Sequence, residues 1–233
     1  GTANLHLYKE PRFYASVGYD RGTYEVDGKE IILYLRGDEL HGSTLKETDE
    51  YQSCTGYLCQ KWIPKASTYN ATSNSFSYYY YAYPYLRLPE LYLSYAEADF
   101  EYNGSLSAQS IEYINRVRER CGLPTFQDSW ALAGGIPTGQ KLRKVLHQER
   151  SIEFLFEGRR FHDLRRWKEA FEVMNKQPRS WNRDGKTAEE FYRVIEANQG
   201  GRKRIFESPK SYWMAVPMSE INKNPNLVQN PGY

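Results

Sequence analysis

The stretch Leu88-Pro-Glu-Leu-Tyr-Leu-Ser-Tyr-Ala-Glu-Ala98-Asp-Phe-Glu-Tyr102-Asn-Gly104 decides the fold class of this 233-residue chain. Leu88, Leu91, Tyr92, Tyr95, Ala98 and Tyr102 recur at helical spacing and form one stripe. Pro89 is tolerated in the first turn, where its missing N–H has no intrahelical partner to lose, and Asn103-Gly104 supplies a left-handed stop. A second helix follows at once, with Ser105 or Ser107 as N-cap and Ile111, Ile114, Val117 and Cys121 as its buried face. Gly122 and Pro124 end it. So short a link makes the two helices antiparallel neighbours.

After Gly134-Gly135-Ile136-Pro137 a third helix is expected over residues 140–157, with the stripe Leu142, Val145, Leu146, Glu149, Ile152 and Phe156. Gly158 breaks it, and a fourth helix carries Phe161, Leu164, Trp167, Lys168, Phe171 and Met174. Each pair covers roughly the span of a 34-residue helix-turn-helix repeat, without its full residue signature. Upstream, Phe13, Ala15, Val17 and Tyr19 alternate as in a half-buried strand, and Tyr24–Val26, Asp27-Gly28 and Lys29–Leu35 spell a hairpin. Residues 36–85 are loop-like, and 176–233 form a loop-rich tail with one short strand at Tyr212–Val216. The expected fold is mainly α: a tetratricopeptide-like α-α superhelical scaffold (86–175) flanked by a loop and hairpin segment (1–85) and the tail, within a single region over 1–233.

Lys plus Arg number 31 against 29 acidic residues, so the chain lacks the basic field that draws nucleic acid. With 40% hydrophobic and 26% charged residues the composition is globular. No apolar run reaches the roughly 18 residues of a membrane-spanning helix. The N-terminus has no signal-peptide order and no Met, as in a mature protein or an excised piece of one. The anomaly is aromatic: 21 Tyr, 10 Phe and 5 Trp in a chain whose mean hydropathy is −0.77. Tyrosine packs cores, but its flat apolar face and polar hydroxyl also suit ligand surfaces. Cys54, Cys59 and Cys121 match no metal pattern; Cys54 and Cys59 join in an oxidising compartment, or all three stay free. Sequons occur at Asn70-Ala-Thr72 and Asn103-Gly-Ser105, the second better explained as a helix-ending turn.

The densest charge lies in Glu149–Trp167. Glu149, Glu153 and Glu157 are four apart, hence on one face of a helix. Neither His147 nor His162 stands at the Glu-x-x-His spacing of a carboxylate metal site. The nearby Arg150, Arg159, Arg160, Arg165 and Arg166 are better partners, so a structural ion-pair network of Glu149, Glu153, Glu157, Arg159, Arg160, Asp163 and Arg165 is expected, with no metal and no cofactor. The sequence carries no Gly-x-Ser-x-Gly elbow, phosphate loop or dinucleotide fingerprint, and no catalytic residue is nominated.

Several motifs resemble the SusD/RagB family. They are Tyr85-Leu-Arg-Leu-Pro-Glu-Leu-Tyr-Leu-Ser-Tyr-Ala-Glu-Ala98, Ile114-Asn-Arg-Val-Arg-Glu-Arg-Cys-Gly-Leu-Pro124, the Glu149–Trp167 stretch, and an ending of Val216-Pro217, Ser219-Glu220-Ile221, Asn224-Pro225 and Gln229-Asn-Pro-Gly-Tyr233. Pro11–Val17 and Gly56–Lys61 are similar in type and order. The resemblance implies a non-enzymatic surface lipoprotein of the Bacteroidetes outer membrane. Such a protein captures glycans or other nutrients as a lid on a SusC-like TonB-dependent transporter. It also implies that this chain is the C-terminal part of a longer member, the lipid anchor and earlier helical pairs lying upstream. No family motif transfers an individual ligand residue.

A pyranose lays its C–H face on an aromatic ring and needs polar partners for its hydroxyls, which directs attention to aromatics in loops. Trp62, Tyr78, Tyr80, Trp130 and Trp181 are the carbohydrate-binding candidates; only alternate members of the Tyr78–Tyr81 run can share a face, and Asn70, Asn74 and several Ser lie nearby. Trp167, on a helical stripe, is assigned to the core. The alternative is a scaffold segment that packs on the upstream half and the transporter without touching ligand.

Overall fold

The computed structural model describes residues 2–36, 53, 55–70, 72, 73, 75–197 and 203–233. The candidate bond between Cys54 and Cys59, and Asn74, lie outside the described residues.

The first helix, α1 (Pro11–Ser16), occupies the place where alternation predicts a strand. Pro11 opens it, and Arg12 and Ser16, four apart, are the residues it buries. Only Val17–Gly18 (β1) is extended, paired with Leu58–Cys59 (β4). The expected hairpin forms from β2 (Thr23–Val26) and β3 (Lys29–Ile32) with Val26 opposite Lys29. Its turn residues Asp27 and Gly28 both have positive φ, 54° and 65°, as a two-residue turn with the right twist requires. The loop-like region also holds a second hairpin, β5 (Thr68–Asn70) with β6 (Ser75–Ser77). Asn70 Oδ1 closes its turn by accepting from the Thr72 and Ser73 amides at 2.9 and 3.1 Å. Polar strands of three residues leave no alternation long enough to detect.

Helices α2 (Leu88–Asn103) and α3 (Ala108–Glu119) pack as the expected pair. Gly104 ends α2 at φ 71°. Ser107 caps α3, its hydroxyl accepting from Ser110 N. Asp99 ties the two together by accepting from the Ser107 amide and the Ser110 hydroxyl, bonds that hold its carboxyl far below the ordinary range.

The face that α2 buries differs from the one expected. Leu93, Ala96, Glu97 and Phe100 point inward, while Leu88, Leu91 and Tyr102 are 62%, 54% and 91% exposed. Both stripes are apolar. A period fixes the angle between residues but not which of two faces the rest of the chain covers.

Helix α4 (Phe126–Ala131), capped by Thr125, falls where a loop is expected. Helix α5 (Gly139–Glu153) stops four residues early, since Phe154 turns into the core and Phe156 adopts φ 64°. The expected fourth helix is split into α6 (Arg159–Arg166) and α7 (Ala170–Met174) around Lys168, at φ 63°. The break lets Leu164 and Ala170 close together on Phe206. The main core gathers Leu93, Ala96, Phe100, Ile114, Val117, Phe126, Leu142, Leu146 and Phe154 between α2, α3, α4 and α5.

In the tail, β7 (Arg179–Trp181) pairs with β8 (Val194–Glu196) around α8 (Ala188–Phe191). The strand expected at Tyr212–Val216 does not form. Lys210–Tyr212 is a 3-10 turn, and Pro217 caps α9 (Met218–Lys223). Among the described residues no helix is long and apolar enough to cross a membrane.

Phe126 is 1% exposed at the centre of the core. Phe126→Ala is expected to lower the unfolding free energy by about 3–5 kcal/mol in urea denaturation, through lost burial plus the cavity left behind.

Candidate functional site

Glu149 and Glu153 lie one turn apart on α5 and are 6% and 2% exposed. A carboxylate this deep persists only if cations come to it. Arg12 from α1 reaches Glu149 at 2.8 Å and Glu153 at 3.5 Å. Arg87, which precedes α2, reaches Glu153 at 3.0 Å and Glu157 at 2.6 Å. From the end of α3, Arg118 meets Glu149 at 2.8 Å and Arg120 meets Glu153 at 2.7 Å. Lys61 closes on Glu157 at 2.5 Å. Glu157 sits beyond the end of α5, so it joins its two neighbours through the turn and not along a helical face.

A second cluster links Asp163 to Arg150 at 2.8 Å and to Arg166 at 2.9 Å, and Arg166 continues to Glu97. Trp167 lies flat on His147, ring centroids 3.6 Å apart, and donates its indole N–H to Glu97 at 2.7 Å.

Of the arginines expected in the network, Arg159 pairs with Glu90 at 2.9 Å, away from the α5 carboxylates. Arg160 donates to the Ser151 hydroxyl at 2.5 Å, and Arg165 to the Ser211 carbonyl at 3.1 Å. Neither forms an ion pair among the described residues. The cations that do serve the α5 carboxylates come from Arg12, Lys61, Arg87, Arg118 and Arg120, which sequence reasoning missed because it sought partners within the same stretch. Their charge is stabilised where they lie: burial pulls the Arg12 and Arg87 guanidiniums down, but the facing carboxylates outweigh it and raise both. Burial likewise pushes Glu97 and Glu157 up, and hydrogen bonds from Arg166 and Trp167, and from Arg87 and Lys61, carry them below the ordinary carboxylate value. An anion held this way accepts no proton near neutrality, so neither group is set up for general acid chemistry.

The aromatic candidates separate. Trp62 is half-buried, and its indole N–H donates to the Phe156 carbonyl at 2.8 Å, which fastens it to the turn after α5. Its ring lies 4.7 Å from Tyr83, and Tyr83 lies 6.0 Å from Tyr85, edge-on at 83°. The Tyr81 hydroxyl donates to the Trp62 carbonyl at 3.0 Å, and Arg159 donates to the Tyr85 carbonyl at 2.5 Å. Tyr83 and Tyr85 remain 49% and 86% exposed. Trp62, Tyr83 and Tyr85 thus form an open aromatic platform held by both ends of the α5–α6 turn.

Tyr78 and Tyr80 belong to the other parity of the extended run. Both are exposed, and Tyr78 rests on Phe76 with centroids 4.7 Å apart. Trp130, expected in a loop, is on α4, packed against the main core, with the Lys141 ammonium 5.6 Å from its ring. Trp181, also expected in a loop, is the last residue of β7 and only 8% exposed, edge-on to His6 and Tyr192. Burial leaves it no face for a sugar. The signal for Tyr83 and Tyr85 was their alternation across Pro84, beyond the four-tyrosine run. Among the described residues no group of three or more His, Cys, Asp or Glu could hold a metal ion.

A family model described as the SusD family matches residues 2–233. A curated relative, SusD-like protein P2 of Formosa agariphila, is 28% identical over 150 residues, which is 64% of this chain and 25% of the relative. Among solved structures, the protein named BT4246 superimposes with a TM-score of 0.81 at 29% identity, covering 97% of this chain and 36% of that one. A SusD-like carbohydrate binding protein (BF0978) from Bacteroides fragilis NCTC 9343 gives a TM-score of 0.66 at 26% identity, covering 97% of this chain and 42% of that one. The match therefore covers a quarter of the curated relative, and the chain covers well under half of these solved proteins.

Replacing Glu153 by Gln removes the charge that Arg12, Arg87 and Arg120 share, and is expected to cost about 3–5 kcal/mol of unfolding free energy. Acid should act on the same clusters. Glu97 and Glu157 have folded-state values below their ordinary 4.5, so the stability they contribute is complete above 4.5 and is lost as pH falls through the folded values. Urea denaturation from pH 7 to pH 3 should therefore show stability declining in acid, with a shallower decline in Glu157→Gln.

Proposed function

We propose, from the premise that this chain belongs to the SusD family, that it captures a glycan without catalysis. The tetratricopeptide-like helices provide the rigid base. The observation that carries the reading is the platform of Trp62, Tyr83 and Tyr85, open to solvent and anchored through the Phe156 and Tyr85 carbonyls. Such a surface offers apolar ring faces to the C–H face of a pyranose and phenolic hydroxyls to its oxygens. Because the Trp62 indole is fastened and Tyr83 packs on it before ligand arrives, little side-chain entropy is lost there on binding. The name of the Bacteroides fragilis neighbour, a carbohydrate binding protein, supports the same ligand class.

The setting we propose is the surface of a Bacteroidetes outer membrane, where the longer protein is held by lipid and passes ligand to a SusC-like TonB-dependent transporter. Tyr78 and Tyr80, the most exposed rings of the four-tyrosine run, are of the other parity and offer a separate aromatic surface to a longer glycan. A second reading, as a scaffold segment that touches no ligand, is favoured by the outer stripe of α2. There Leu88, Leu91, Tyr95, Ala98 and Tyr102 stand at alternating spacings of three and four, the pattern of a seam for another helix.

Affinity electrophoresis through gels of soluble polysaccharides separates the two. Retardation by at least one glycan is expected, and both Trp62→Ala and Tyr83→Ala should weaken it by about tenfold or more, as loss of a central aromatic contact does. Circular dichroism confirms that each variant is folded. Uniform migration of the parent chain would sink glycan capture by this chain and leave the scaffold reading.

A further inference from the structure

A cavity of about 280 Å³ adjoins the platform, lined by Arg12, Lys61, Arg87, Arg120, Cys121 and Glu153 among others. Four of its walls are cationic. Lys61 belongs to both places: its ammonium lines the cavity and stands 6.0 Å from the centroid of the Trp62 ring. Arg87 follows Tyr85 by two residues.

The charges around this cavity do not balance. Among the described residues, Arg12, Lys61, Arg87, Arg118 and Arg120 face four carboxylates, those of Glu10, Glu149, Glu153 and Glu157. The surplus positive charge falls on Arg120. Arg12 meets three carboxylates and Arg87 two. Lys61 holds Glu157 and the Glu153 carbonyl, and Arg118 adds the Pro124 carbonyl and the Ser129 hydroxyl to Glu149. Arg120 spends only Nη2, on Glu153, and its side chain is 54% exposed. Its remaining N–H donors have no protein acceptor among the described residues. A guanidinium with free donors at the edge of a positive cavity is complementary to a planar or tetrahedral oxyanion.

Resting on the glycan-capture reading, we infer that the glycan is acidic. A carboxylate or sulfate substituent on a sugar stacked at Trp62 is received by Arg120 at the mouth of this cavity. Arg12, Lys61 and Arg87 behind it are matched by their own carboxylates, so the substituent meets the one guanidinium whose donors are left over.

The test uses matched polysaccharides that differ in charge and not in backbone: polygalacturonate against its methyl ester, and dextran sulfate against dextran. The chain, Arg120→Gln and Arg143→Gln are run in each gel and in a blank gel. Arg143 pairs with Glu101 on the outside of α5 and does not line the cavity, so it reproduces the change of net charge alone. The expected result is retardation by the acidic member of one pair over its neutral counterpart. Arg120→Gln should weaken that retardation by about tenfold, the loss of one charge-assisted contact, while Arg143→Gln does not. Which pair responds distinguishes carboxylate from sulfate. Equal weakening by the two variants would mean a diffuse attraction of polyanions and would overturn the assignment to Arg120. Retardation by neutral members alone, or by both members equally, would overturn the acidic class while leaving glycan capture intact. Migration unchanged by these gels and by every gel of the neutral panel would overturn both.

Discussion

The Glu153 carboxylate, 2% exposed and bound by Arg12, Arg87 and Arg120, is the constraint from which the arrangement of this molecule follows. An unpaired carboxylate at that depth would cost several kcal/mol, more than most single contacts in a domain contribute. Satisfying it requires that α1, the start of α2 and the end of α3 all converge on one point of α5. Few relative placements of those elements achieve this, so one side chain selects among packings that the apolar core alone would tolerate.

The same constraint reaches the surface. Glu157, at the turn after α5, holds Lys61 and Arg87, which sit next to Trp62 and two residues from Tyr85 in the chain. The carbonyl of Phe156 in that turn anchors the Trp62 indole. The buried ion pairs and the exposed aromatic platform are thus two ends of one assembly: the carboxylates fix the cations, and the cations bring the loop that carries the rings. Loops on a rigid scaffold are where recognition is usually found, and here the rigidity has an electrostatic source.

Belonging to the SusD family, while spanning 36% and 42% of two solved relatives, frames the outer surface of α2. Its apolar seam is at odds with a helix that already buries Leu93, Ala96 and Phe100 on its other side. A helix apolar on two faces belongs between layers, and among the described residues the core packs on one of those faces.

The sequence by itself determined the helix pair α2–α3, its Gly104 stop and a serine cap at 105 or 107, the Asp27-Gly28 hairpin, and the family motifs, because each is a local pattern of spacing or backbone conformation; the structure chose Ser107. It also determined that Glu149 and Glu153 share a helical face and need cations. Tertiary structure alone decided which cations answer, since Arg12 and Glu153 are 141 residues apart in the chain and ion pairing leaves no periodic trace. It decided which stripe of α2 is inside, because two faces of equal apolarity are ranked only by what packs on them. It replaced the first part of the expected strand at 13–19 by a short helix, where Arg12 and Ser16 had to turn the same way, and left only Val17–Gly18 extended. And it chose between the two parities of the tyrosine run, placing Tyr81 and Tyr83 against Trp62. In an extended segment either parity can face inward until a partner surface fixes the register.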